Sequence, residues 1–143
     1  MKARKTLIRL QKWQVDDKRK HLAELQNLRE DLHRKIQAVD ETIAREQRIV
    51  GASLDSANEL GFSYGPFVQT AIWQKNNLQH SLDSLSGQIS AAEAELMEAY
   101  AALKRQETAA ANQDHRNRIA RERRAQLQSD DQSIENHLRK LRQ

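Results

Sequence analysis

Over the first 50 residues, apolar side chains recur every seventh position at Ile8, Val15, Leu22, Ile36, Ile43 and Val50, and a second row lies three residues behind at Leu25, Leu32 and Val39. Rows spaced three and four apart are what a helix shows when it buries one narrow stripe, because 3.6 residues complete a turn and a partner helix meets only two positions of each heptad. Arg29 interrupts the first row, and Gln11, Lys18 and Glu46 fall on the second. The pattern predicts a first helix over residues 1–50, packed most tightly between Leu22 and Ile43.

A second stripe begins after residue 66 and steps by three and four through Leu78, Leu82, Leu85, Ile89, Ala92, Leu96, Ala99 and Leu103. The same phase continues through Gln106, Ala110, Gln113, Asn117, Ala120, Arg124, Leu127, Asp131, Ile134, Leu138 and Leu141. The stripe turns polar and then apolar again without a break in register, which predicts one helix over 66–141.

Between the two stripes lies GASLDSANELGFSYGP, which holds Gly51, Gly61, Gly65 and the one proline of the chain, Pro66. Gly51 suits a left-handed residue that ends a helix, and Pro66 suits the first turn of the next. Ser56 and Glu59 have capping-box spacing, which places a short helical turn inside the connection. The expected fold is all-α: a single coiled-coil domain over 1–143, with helix 1 at 1–50, a connecting loop at 51–65 and a longer helix 2 at 66–141, folded into an antiparallel hairpin.

At about 1.5 Å per residue the two helices span roughly 70 Å and roughly 110 Å, so they do not match end to end. If Val50 faces Phe67, paired residue numbers add to about 117 along the hairpin. That register sets Gln11 beside Gln106 and Arg4 opposite Gln113, polar against polar. Residues 115–143 should then overhang the first helix and leave Leu127, Ile134, Leu138 and Leu141 without an intramolecular partner.

Composition agrees with rods rather than globules. Charged residues make up 31% of the chain and aromatic residues 4%, too little apolar material for a multilayered core. The chain has no cysteine, which removes disulfides, thiolate metal sites and cysteine nucleophiles and is compatible with a reducing compartment. In MKARKTLIRLQKWQVDDKRK charges interrupt every apolar stretch, so neither a secretory signal nor a membrane span is expected there, and the chain reads as cytoplasmic and mature from Met1.

Charge is distributed unevenly. Residues 1–50 carry net +5, residues 51–112 net −4 and residues 113–143 net +3, so a hairpin would be basic at its paired termini and acidic toward its loop. Such polarity suits a rod that spans two different partners, although charges outside the seam also simply solvate a coiled coil.

Candidate chemistry is sparse. His21, His33, His80, His115 and His137 include no i,i+4 pair, and no phosphate loop or nucleophile elbow occurs. The carboxylates are scattered among basic neighbours, and a two-stranded coiled coil has no pocket that would shift a pKa or exclude water. No catalytic residue, metal or cofactor is expected.

The stretch HRNRIARERRAQL puts Arg116, Arg118, Arg121, Arg123 and Arg124 on one helix ahead of Leu127, Ile134 and Leu141. The layout resembles a basic leucine zipper. However, Leu127 follows Arg124 by only three residues, and the zipper would last barely two heptads with Asp131 on its seam. A general phosphate-binding surface lacks interleaved aromatics for base stacking. A protein carboxylate cluster is the better match for these arginines.

Trp13 and Trp73 fall outside the seam rows, either as flanking packing residues or as exposed anchors for a partner. Phe62, Tyr64 and Phe67 are placed to cover the hairpin tip.

The opening KARKTLIRLQKWQVDDKRKHLAEL, the loop GFSYGPF and the long Ala/Glu/Arg-rich second helix together resemble the FliJ family of flagellar type III export proteins, in particular its alphaproteobacterial members. The similarity covers nearly the whole chain, and the order from Leu7 to Arg19 carries most of it. The resemblance implies a small cytoplasmic stalk, like the γ subunit of rotary ATPases. Its paired termini would enter the central hole of the hexameric flagellar export ATPase, while other surfaces meet the membrane-embedded export gate and, in some members, export chaperones. On that basis Arg4, Arg9, Trp13, Arg121, Arg124, Leu127 and Leu138 are the residues expected to bind the ring. Two other classes remain: a self-associating coiled-coil scaffold that buries the overhang against its own copy, and a nucleic-acid binder acting through the 116–124 arginine run.

Overall fold

The computed structural model describes the backbone of residues 2–52 and 57–143, and the side chains of those residues apart from 52–64. Two helices account for it: α1 (Lys2–Ala52) and the longer α2 (Ala57–Arg142), with no strand among the described residues. The fold is the expected all-α pair of long helices. The chain divides into a loop-side unit, Gln14–Ala99, and a terminal unit, Met1–Trp13 with Tyr100–Gln143.

Both expected helix boundaries at the connection move. Gly51 lies inside α1 and has no positive φ, so it does not act as a left-handed terminator. Pro66 lies inside α2, which begins at Ala57. A proline interrupts only its own N–H and crowds the carbonyl four residues back, at a cost of about 3 kcal/mol, which a long helix can absorb. Thr70 Oγ1 donates to the Pro66 carbonyl at 2.9 Å. The capping-box residue Ser56 and the side chains of Phe62 and Tyr64 lie outside the described residues, while Phe67 is exposed.

In the loop-side unit the helices run antiparallel. Lys18 Nζ meets Glu95 Oε2 at 2.9 Å and Lys75 Nζ meets Asp40 Oδ1 at 2.7 Å, so partners fall on α2 as they rise on α1. The paired numbers add to 113 and 115, a register a few residues away from the expected 117. Leu25, Leu85, Ile89 and Ala92 form the core cluster, with Leu22 and Leu32 packed against it. Every seam position foreseen on α1 from Val15 to Val50 is buried or partly buried. Seven of the eight buried apolar residues among those described belong to this unit: Val15, Leu25, Ala71, Leu82, Leu85, Ile89 and Ala92.

In the terminal unit the buried apolar residue is Leu103. Ile8, Gln11, Gln106, Ala110, Gln113, Asn117 and Ala120 are partly buried, so the seam persists but is largely polar or small. Because hydrophobic stabilisation scales with apolar area removed from water, this unit gains far less from its seam than the loop-side unit does. Gln11 and Gln106 both lie on the partly buried seam, as the register expects. Gln11 Oε1 is buried without a hydrogen-bond partner among the described residues.

Candidate partner-binding surface

The seven residues expected to bind a partner all lie in the terminal unit. They do not share one role. Arg4 is partly buried and donates from Nη1 to the Ala109 carbonyl at 3.3 Å. The run Ala109–Ala111 has no long side chain to keep a guanidinium away from the helix backbone, and a carbonyl bonded within a helix keeps a second lone pair. Ala3, Arg4, Lys5, Ile8, Ala110, Gln113 and Asp114 line one groove. Arg4 therefore approaches Gln113 as expected, but its hydrogen bond ties α1 to α2.

Arg9 and Trp13 stay free on the surface of α1, with Trp13 63% exposed. The tryptophan is an exposed side chain and not a flanking packing residue. Trp73, in the loop-side unit, is likewise 67% exposed.

On α2, partial burial ends at Ala120, somewhat beyond the expected start of the overhang at 115. Gln113 and Asp114 line the groove with the start of α1, and Gln113 Nε2 donates to Asn117 Oδ1 at 3.2 Å, which accounts for part of the cover. From Arg121 to Gln143 every side chain is exposed. Leu127, Ile134, Leu138 and Leu141 are 64%, 59%, 49% and 69% exposed and fall within an arc of about 60° on the helix. A soluble helix ordinarily buries such a stripe.

Around the stripe, the charges alternate in blocks: Arg121, Arg123 and Arg124 first, then Asp130, Asp131 and Glu135, then Arg139, Lys140 and Arg142. Only the contacts Arg139–Glu135, at 3.8 Å, and Gln126–Asp130, at 3.2 Å, tie side chains together within this stretch among the described residues. Arg121 and Arg124 have no ion-pair partner there, which leaves two guanidiniums available for carboxylates.

One feature of the surface lies off the seam rows. Leu7 and Leu10 are exposed and, with Trp13, form a row at steps of three on the face of α1 turned away from the seam. The spacing was visible in the sequence, but a search for heptads passes over a second apolar row on the other side of the same helix. Among the described residues no group of three side chains is placed to hold a metal ion, and no helix is long and apolar enough to cross a membrane. In comparisons with known proteins, no family model, no curated protein and no solved structure matches this chain.

Proposed function

We propose that this protein is a non-enzymatic stalk of the flagellar type III export apparatus, which binds the hexameric export ATPase through its terminal unit and links it to the export gate, with export chaperones as further partners. The observation that carries the reading is the bare stripe Leu127, Ile134, Leu138 and Leu141 on a helix that projects beyond its own partner, joined to the resemblance of residues 2–25 to the FliJ family. An apolar stripe between unpaired arginines suits a groove lined with carboxylates around an apolar floor. Arg121, Arg124, Leu127 and Leu138 would enter the ring, with Arg9 and Trp13 beside them, and Arg4 would keep the two helices together at that end. The reading places the protein in the cytoplasm, peripheral to the inner membrane.

The competing scaffold reading would bury the stripe against a second copy. Charge opposes it in both orientations. A parallel pair in register sets Arg124 against Arg124 and Asp131 against Asp131, and a fully overlapped antiparallel pair sets Arg121–Arg124 alongside Arg139–Arg142. A different partner avoids both clashes.

The test is capture of the hexameric export ATPase by the purified full chain, and by a chain truncated after Ala120. The full chain should retain the ATPase and the truncated chain should lose it, with the loop-side unit still helical by circular dichroism. Undiminished capture by the truncated chain would remove the docking surface from the proposal, and no capture by the full chain would remove the partner.

A further inference from the structure

The first turns of α1 divide their circumference three ways. At about 100° per residue, Arg4, Ile8 and Gln11 share the partly buried sector that faces α2 within the terminal unit. Lys2, Lys5, Arg9 and Lys12 share a second sector and are all exposed. Ala3, Thr6, Leu7, Leu10 and Trp13 fill the third, an exposed and uncharged arc of about 120°. Leu7, Leu10 and Trp13 are 39%, 50% and 63% exposed.

Charge decides what covers that arc. No acidic residue precedes Asp16, and the part of α2 within the terminal unit that lies level with these turns, residues 100–114, carries Lys104 and Arg105 against Glu107 and Asp114, so it adds no net charge to the five cations Lys2, Arg4, Lys5, Arg9 and Lys12. The surface is convex, since a lone helix face cannot enclose a ligand. An apolar arc ending in tryptophan and bordered by four cations matches an extended anionic interface: leucines enter the acyl boundary, the indole sits at the headgroup level, and lysine and arginine stems lie along the apolar layer while their charges reach the phosphates. Each such cation adds attraction to an anionic leaflet.

We infer that the first three turns of α1 dock this protein, lying flat, on an anionic lipid bilayer surface. The inference goes beyond the export reading and does not rest on it, since the membrane contact needs no ATPase. Arg9 and Trp13 belong to both surfaces, so the bilayer-docked and ring-docked states exclude one another.

The experiment uses the full chain with Trp73→Phe, so that Trp13 is the one fluorophore of its kind, and measures sedimentation and tryptophan emission with phosphatidylglycerol-containing vesicles and with phosphatidylcholine vesicles. Anionic vesicles should bind the protein and shift emission to the blue, with binding at least about tenfold weaker to neutral vesicles or in concentrated salt. The combination Lys5→Glu, Arg9→Glu and Lys12→Glu should weaken binding by about tenfold or more, and Leu10→Glu should remove the blue shift. Reversal of Arg45 and Arg48 to Glu in the loop-side unit should leave binding unchanged. Circular dichroism confirms that each variant remains helical. Failure to bind anionic vesicles, equal binding to neutral ones, or equal loss on reversing Arg45 and Arg48 would overturn the inference. Capture of a soluble acidic protein through this face without vesicle binding would also overturn it, in favour of a protein partner.

Discussion

Lys18 of α1 and Glu95 of α2 meet across the loop-side unit at 2.9 Å, and each shifts the other's ionisation. The ammonium holds the Glu95 carboxyl below its ordinary range through a hydrogen bond and direct attraction, and the carboxylate raises Lys18 in the same way. Glu95 therefore stabilises the fold above the ordinary carboxylate pKa and loses that contribution as pH falls through its lowered value. Lys18 contributes below the ordinary lysine pKa and loses its contribution as pH rises through its raised value. Both side chains are solvated, so the effect is small and salt-sensitive. Glu95→Gln should lower the thermal midpoint slightly near neutral pH, with no difference from the parent chain well below the carboxylate range. The exchange Lys18→Glu with Glu95→Lys should recover most of the loss, and thermal scans across pH check all three.

Ile89 is 4% exposed and sits in the cluster with Leu25, Leu85 and Ala92, whereas Ile134 is 59% exposed on the overhang. Removing the same atoms should have unequal effects. Ile89→Ala is expected to destabilise by about 2–4 kcal/mol, while Ile134→Ala should stay within about 0.5 kcal/mol. Urea unfolding of the two variants supplies the comparison, and equal losses would show that the overhang is buried in the free protein.

Gln11 occupies a seam position with its Oε1 buried and unpaired. A buried acceptor without a donor costs free energy that an apolar side chain of similar length does not. Gln11→Leu should stabilise the chain by roughly 1 kcal/mol in the same urea assay. A loss of stability would mean that the oxygen is satisfied in solution.

Backbone amides over 121–142 should exchange with solvent far faster than those around Leu25 and Ile89, because a helix without a buried face has only its own hydrogen bonds to hold it. Hydrogen exchange read by mass spectrometry distinguishes the segments. Slow exchange over 121–142 in the isolated protein would show that the stripe is already covered.

Much of this architecture was legible in the residues themselves. The steps of three and four that name Leu22, Leu25 and Leu32 on α1 and Leu85, Ile89 and Ala92 on α2 also name the residues that pack together, and Val15 and Leu82 from the same rows are buried. Helical periodicity is local, so the chain declares it without reference to any distant contact. The bare stripe was legible for a simpler reason, since the second helix outruns the first whatever the register. The connection was less legible. Glycine permits a left-handed turn and proline permits a helix start, but neither compels it, and both Gly51 and Pro66 lie within helices.

The sequence by itself determined the two helices, the faces they turn toward each other and the stripe Leu127, Ile134, Leu138 and Leu141 left over on the second. Tertiary structure decided the register, because sliding one helix along another keeps both stripes in contact while changing every partner. Lys18 with Glu95, and Asp40 with Lys75, mark the alignment in the loop-side unit, and Arg4 at the Ala109 carbonyl marks it in the terminal unit. Only that alignment shows that Gln11 Oε1 is buried without a hydrogen-bond partner and that Arg4 is engaged while Trp13 is exposed. Periodicity fixes an angle around a helix axis, and position along the axis is set by contacts between residues far apart in the chain.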